Sequence, residues 1–127
     1  MSFAITKAEP QYKNLKVLPK NINKKQMDSV MHHFTASLGV KCNYCHQYNA
    51  EQKAMDFVSD ANEKKGIARD MMKMTQKLNK KYFHVNNVKS LTADLEISCY
   101  SCHNGKAHPT KQPPPPPPRP QTDTARK

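Results

Sequence analysis

The chain has 127 residues, an apolar share of 36%, no tryptophan and a mean hydropathy of −0.89. That composition reads as one small domain with a lean core. Its 21 Lys and Arg against 10 Asp and Glu give a formal charge of +11, which favours acidic partners. No run reaches the ~18 apolar residues of a membrane span. No recognition-helix, RNP or zinc-finger pattern accompanies the basic residues, so a nucleic-acid binder is not expected.

Residues 1–20 are polar and irregular, broken by Pro10 and Pro19, with a short apolar touch point in "NLKVLPKNI". The opening "MSFAITKAEP" is too short for a complete signal peptide. Asn23 followed by Gln26 fits a capping box. Met27, Val30, Met31, Phe34 and Leu38 then recur at helical spacing up to Gly39, predicting a helix over about 23–38. Residues 47–59 are mixed, with a short helical turn expected around "AMDFV". Asp60 with Glu63 offers a second capping box, and Ile67, Met71, Met74, Leu78 and Tyr82 form one apolar stripe. They predict a second helix over about 61–83, with Gly66 as a weak spot. Residues 84–98 read as a polar loop. After Gly105 the periodicity stops, and six consecutive prolines at 113–118 favour an exposed polyproline II segment. The expected organisation is a domain over 1–109 and a proline-rich tail over 110–127. The fold class is mainly α, with two Met-bearing helices and little or no β.

All four cysteines fall in two copies of Cys-x-x-Cys-His: "CNYCH" at 42–46 and "CYSCH" at 99–103. Each follows a predicted helix and a β-branched residue, Val40 or Ile97, a weak internal repeat. Covalent haem attachment gives every position of this pattern a role: two thiols form thioethers to the vinyl groups, and the adjacent His becomes the axial ligand. Zinc ribbons place their cysteine pairs about 15–20 residues apart, whereas 53 residues separate Cys45 from Cys99. A redox disulfide of thioredoxin type would sit in a βαβ pattern, which is missing. The reading is therefore two haem c groups, on Cys42, Cys45 and His46 and on Cys99, Cys102 and His103. Two haems also compensate for the lean core.

An iron with a second protein ligand is closed to small molecules and suited to electron transfer. Met31 lies on the apolar face of the first helix, with Met27 one turn earlier as an alternative. Met71 lies on the second stripe, with Met74 as its alternative. His32 and His33 turn away from the first stripe and read as surface residues.

"FTASLGVKCNYCH" and "ARDMMKMTQKLNKKYFHV…ISCYSCHNG" resemble the cytochrome subunit of photosynthetic reaction centres, over about residues 14–109. The resemblance rests on Met-bearing helices that precede Cys-x-x-Cys-His. It rests also on an "M-x-x-M-T-x-x-x-N" helix, here Met71, Met74, Thr75 and Asn79, ahead of "C-Y-x-C-H-x-G". It implies that Met31 and Met71 are the sixth ligands. The full family subunit is implied to hold four haems in two halves, against two here. His84 lies near the position of a family His that serves a haem of the other half, one residue out of step. Asn104 stands where the family usually has a basic residue. Haem attachment outside the cytoplasm is implied, and with it a periplasmic or extracellular location and a leader.

The expected function is single-electron transfer by a dihaem c-type cytochrome with acidic redox partners, and not an enzyme. A subunit that self-assembles so that haems form a wire between chains is the alternative, with His84, His108 and the tail at the contacts. A peroxidase-like enzyme is less favoured, because no distal acid–base constellation is present.

Overall fold

A computed structural model describes residues 11–89, 91 and 95–120. Residues 1–10 and 121–127, at the two ends of the expected domain and tail, lie outside the described residues. The element order is α1 (Lys24–Leu38), a 3-10 turn (Cys42–Tyr44), β1 (Gln47–Asn49), β2 (Ala54–Asp56), α2 (Lys64–Phe83) and α3 (Cys99–His103).

α1 begins where its capping signal places it. The Asn23 side chain accepts from the Gln26 N–H at 2.9 Å, and the Asn23 N–H donates to Gln26 Oε1 at 3.0 Å. These bonds satisfy two groups that would otherwise have no partner at the helix start. The helix ends at Gly39 in the left-handed region (φ 65°, ψ 35°), its N–H donating to the Thr35 carbonyl.

The helical turn expected around "AMDFV" is instead β2. It pairs antiparallel with β1, Gln47 opposite Asp56, Tyr48 opposite Met55 and Asn49 opposite Ala54. Asn49 Oδ1 accepts from the Glu51 and Gln52 N–H groups at 2.9 and 3.0 Å, closing a turn that reverses the chain. The local Asx turn outcompetes a helix here.

The expected Asp60–Glu63 capping box does not form. α2 starts at Lys64 after Glu63, which makes no side-chain cap. The Lys64 N–H donates instead to Asn62 Oδ1 at 3.0 Å. Asp60 is engaged elsewhere, by Lys16, Lys65 and Arg69, each at 3.0 Å. Gly66 consequently falls in the first turn of α2. At the other end Lys80 and Lys81 sit in the last turn, favourable for the negative end of the helix dipole.

The core is small: Leu18, Ile22, Met27, Val30, Met72 and Leu91, with Tyr12, Leu15, Val17, Met31 and Phe34 packed around it. The segment before α1 thus contributes more than a touch point. Asn14 and Lys16 bond to Asp60, and Arg69 bonds to the Asn14 carbonyl at 3.2 Å, fastening this segment to the start of α2. In the loop after α2, Leu91 is buried and anchors an otherwise polar stretch. Residues 110–120 are exposed throughout and form no helix or strand.

Candidate haem-attachment sites

The first Cys-x-x-Cys-His leaves α1 three residues after its glycine cap. The Tyr44 N–H donates to Lys41 O at 3.0 Å, and the Cys45 and His46 N–H groups both donate to Cys42 O, at 3.3 and 3.0 Å. The motif is therefore wound into a single turn. Cys42 is exposed and Cys45 half-buried. Burial pushes the Cys45 thiol above its ordinary value, with the Lys64 charge acting against it. The His46 ring lies edge-on to Phe57 with centroids 5.0 Å apart. His46 Nδ1 is buried and, among the described residues, has no hydrogen-bond partner. Its pKa is lowered by burial and then by Lys65, with Asp56 opposing. Asn62, just before α2, donates to the Tyr44 carbonyl at 3.0 Å and ties the turn to that helix.

The second motif is α3 itself. Ser98 caps it in a reciprocal box with Ser101, the Ser98 N–H donating to Ser101 Oγ at 3.0 Å. Cys99 is half-buried and Cys102 exposed, and burial again pushes the half-buried thiol up. His103 Nδ1 lies 2.9 Å from the Lys106 carbonyl. A carbonyl only accepts, so Nδ1 carries the proton and Nε2 has a free lone pair. Asn104 follows in the left-handed region (φ 50°, ψ 39°), a conformation for which asparagine is among the better non-glycine residues. That accounts for Asn104 on backbone grounds.

Two contacts bring the motifs to one place. The Gly105 N–H donates to the Ser37 carbonyl at 2.8 Å. A Cβ built on Gly39 would run into the Gly105 carbonyl oxygen. The chain three residues before Cys42 and two residues after His103 thus meet at the end of α1, so close that only glycine fits at 39. Among the described residues no three His, Cys, Asp or Glu side chains converge, so the cysteines are not arranged as one four-ligand metal centre. All four are free.

The methionines are distributed unequally. Met31 is half-buried and packs against the core, as Phe34 does. Met71 and Met74 are 44% and 46% exposed, in line with Ile67 (53%) and Tyr82 (60%). Apart from half-buried Leu78, the predicted stripe of α2 is thus not the face that packs on protein. The packed face is Met72, Thr75 and Asn79, roughly a quarter turn away at 100° per residue. On α1, His32 is exposed as expected. His33 is only half-buried, with Nε2 3.4 Å from the buried Ser37 hydroxyl, and burial lowers its pKa. It is therefore not a plain surface residue. His84 and His108 are exposed; His84 ends α2 in the left-handed region.

Thr75 and Asn79 have a structural role that motif spacing alone leaves unassigned. Thr75 Oγ1 donates to the Met71 carbonyl at 2.9 Å. The fully buried Asn79 donates to the Thr75 and Ile97 carbonyls, at 2.9 and 2.6 Å, and accepts from the Ile97 N–H at 3.0 Å. Its amide pairs with Ile97 as a strand neighbour would, holding the chain two residues before Cys99 against α2. A buried polar residue at that point of an amphipathic helix is the signal that marks it.

A family model described as "Photosynthetic reaction centre cytochrome C subunit" matches residues 2–121. The chain belongs to that family. A curated relative, the photosynthetic reaction center cytochrome c subunit of Rubrivivax gelatinosus, is 35% identical over 69 residues. The match covers 54% of this chain and 15% of that protein, so the family likeness spans a small part of the relative's length. No solved structure matches the chain.

Proposed function

We propose that the chain is a dihaem c-type cytochrome that carries single electrons and is not an enzyme. Cys42 and Cys45 would hold one haem with His46 as its axial ligand; Cys99, Cys102 and His103 would hold the other. The observation that carries this reading is the apolar stripe of α2, which no described protein segment covers, in a chain with two free-thiol Cys-x-x-Cys-His turns. Exposed Ile67, Met71, Met74 and Tyr82 are costly to leave in water at about 25 cal/mol per Å². A flat apolar group against them removes that cost. The residues fit haem in a second respect: His103 has the proton on Nδ1 and a free Nε2, as an axial ligand requires.

Bound haem supplies a one-electron ferric–ferrous couple. The protein's part is to hold and tune it. The thioethers fix each group to a turn whose backbone is already wound. Met31 and Met71 would close the sixth position, which excludes small ligands and raises the potential relative to two histidines. The contact of Gly39 with Gly105 keeps the two attachment turns on a common support, which favours exchange between them. Residues 1–109 would form the haem domain and 110–127 the exposed tail.

The test is an intact denatured mass together with an oxidised spectrum. The expected mass is apoprotein plus two haems; a mass with one or none overturns the reading. The oxidised protein is expected to show the weak near-infrared sulfur-to-iron band. Met31→Ala and Met71→Ala are each expected to remove about half of it, one of two ligated irons. Absence of the band in the parent protein would move the sixth ligand to a histidine.

Acidic redox proteins are the partners that a formal charge of +11 favours, and the setting would be the periplasm or the cell exterior. Exchange with such a partner is expected to slow as salt rises, since the screening length falls from about 10 Å at 0.1 M to about 3 Å at 1 M. A salt-independent rate would favour transfer within an assembly of chains.

A further inference from the structure

The two motif histidines are not equivalent. His103 donates its Nδ1 proton to the Lys106 carbonyl at 2.9 Å, whereas His46 Nδ1 is buried with no acceptor among the described residues. An imidazole whose N–H is donated to a carbonyl gains electron density at its other nitrogen and becomes the stronger donor to a metal. A stronger donor favours the ferric state. The His103 side is therefore biased toward the lower potential and the His46 side toward the higher.

The charges nearby act in the same direction. The Lys64 ammonium lies 4.7 Å from the centroid of the Tyr44 ring, inside the first motif. Lys65, on the next position, is paired with the Asp60 carboxylate at 3.0 Å, which offsets its charge and leaves Lys64 as the cation placed against the first motif. Asp56 accepts from the Val58 and Ser59 N–H groups at 3.0 Å each, which spreads its charge toward the loop. Fixed positive charge beside an iron disfavours its oxidation.

We propose that the first motif holds the higher-potential haem of the pair, because its axial histidine has no hydrogen-bond acceptor among the described residues while that of the second motif does. This rests on the dihaem reading above. Its consequence is a direction: an electron shared between the two sites resides at equilibrium on the Cys42–His46 side, and the Cys99–His103 side is where it is more readily given up by a reduced pair's first oxidation.

On stepwise oxidation of the fully reduced protein, the site held by Cys99, Cys102 and His103 would be oxidised first. On reduction of the fully oxidised protein, the site held by Cys42, Cys45 and His46 would be reduced first. Lys64 acts here as a tuning residue, through charge and not through contact with the iron.

The experiment is an equilibrium redox titration of the holoprotein and of Lys64→Gln, with haem content checked by mass. Two one-electron waves are expected. In Lys64→Gln the higher wave should move down while the lower stays in place. A merely structural role for Lys64 would move both or neither, and movement of the lower wave alone would overturn the ordering. Cys42→Ala supplies an independent assignment. A haem held by one thioether has a red-shifted α band, so the first-motif haem becomes spectrally distinct. The shifted band should appear first on reduction. If the unshifted band appears first, the proposal fails while the dihaem reading stands. If the parent protein holds fewer than two haems, both fail.

Discussion

The two Cys-x-x-Cys-His turns have the same residues at their fixed positions and different supports. The first is a 3-10 turn without a side-chain cap, hung from the glycine end of α1 and tied to α2 by one bond from Asn62. The second is a short helix with a reciprocal serine cap, preceded by the two-way Asn79–Ile97 clasp. A shared motif fixes the chemistry that can be done there. The neighbours decide how firmly each copy is held and how its histidine is polarised.

Breaking the point where the two turns meet should cost most. Gly39→Ala forces an L side chain into the left-handed region, costing roughly 1–2 kcal/mol, and drives a Cβ into the Gly105 carbonyl. With overpacking of about 1–3 kcal/mol added, the holoprotein should lose about 4 kcal/mol in denaturant unfolding. A loss under about 1 kcal/mol would show that the turns separate easily and that their meeting is incidental.

Asn79→Ala removes the clasp on the second motif and leaves the Ile97 N–H and carbonyl without their partner. At about 1–3 kcal/mol for each buried group left unpaired, a loss of about 3 kcal/mol is expected, with haem content falling at the second motif before the first. Asn62→Ala is the matching change at the first motif. It removes the bond to Tyr44 and the one to the Lys64 N–H, and a loss of about 1 kcal/mol is expected. Equal losses from the two variants, or a larger one from Asn62→Ala, would erase the contrast in support.

Acid sharpens the comparison from another side. Lys16, Lys65 and Arg69 hold the Asp60 carboxyl well below the usual carboxylate range, the Arg69 hydrogen bond contributing most. A carboxyl depressed in the folded state contributes stability above its unfolded pKa, near 3.9, and that contribution is lost as pH falls toward the folded value. About a third of this side chain stays exposed, so solvent screens the cluster and the effect is modest. Below pH about 4 the fastening of residues 14–16 to α2 should weaken. Asp60→Asn should flatten the pH dependence of unfolding in that range. An unchanged profile would remove Asp60 as its source.

Much of the frame is legible in the sequence because its signals are local. Asn23 with Gln26, Gly39 and the stripe spacing need only a few neighbouring residues to be read. The site pattern is equally local, since five contiguous residues carry it. What escapes local reading is competition over distance. Asp60 is a good cap beside Glu63 until three cations from two segments claim it. "AMDFV" suits a helical turn until Asn49 closes a hairpin before it. The stripe on α2 is correctly periodic, yet the face packed on protein runs through Met72, Thr75 and Asn79, because the clasp to Ile97 draws a polar residue inward. His33 reads as a surface residue until Ser37, one turn on, buries its own hydroxyl against it.

The uncovered stripe of α2 bears on how such a chain is made. If haem is what covers Ile67, Met71, Met74 and Tyr82, then a chain that has not yet received it presents a sticky surface and is marked as unfinished. Proteases and chaperones sort proteins by exposed surface of this kind. Cofactor attachment would then act as an inspection step in biosynthesis. Production in a host lacking the attachment machinery should yield degraded or aggregated chain, and the material that survives should be enriched in the fully loaded form.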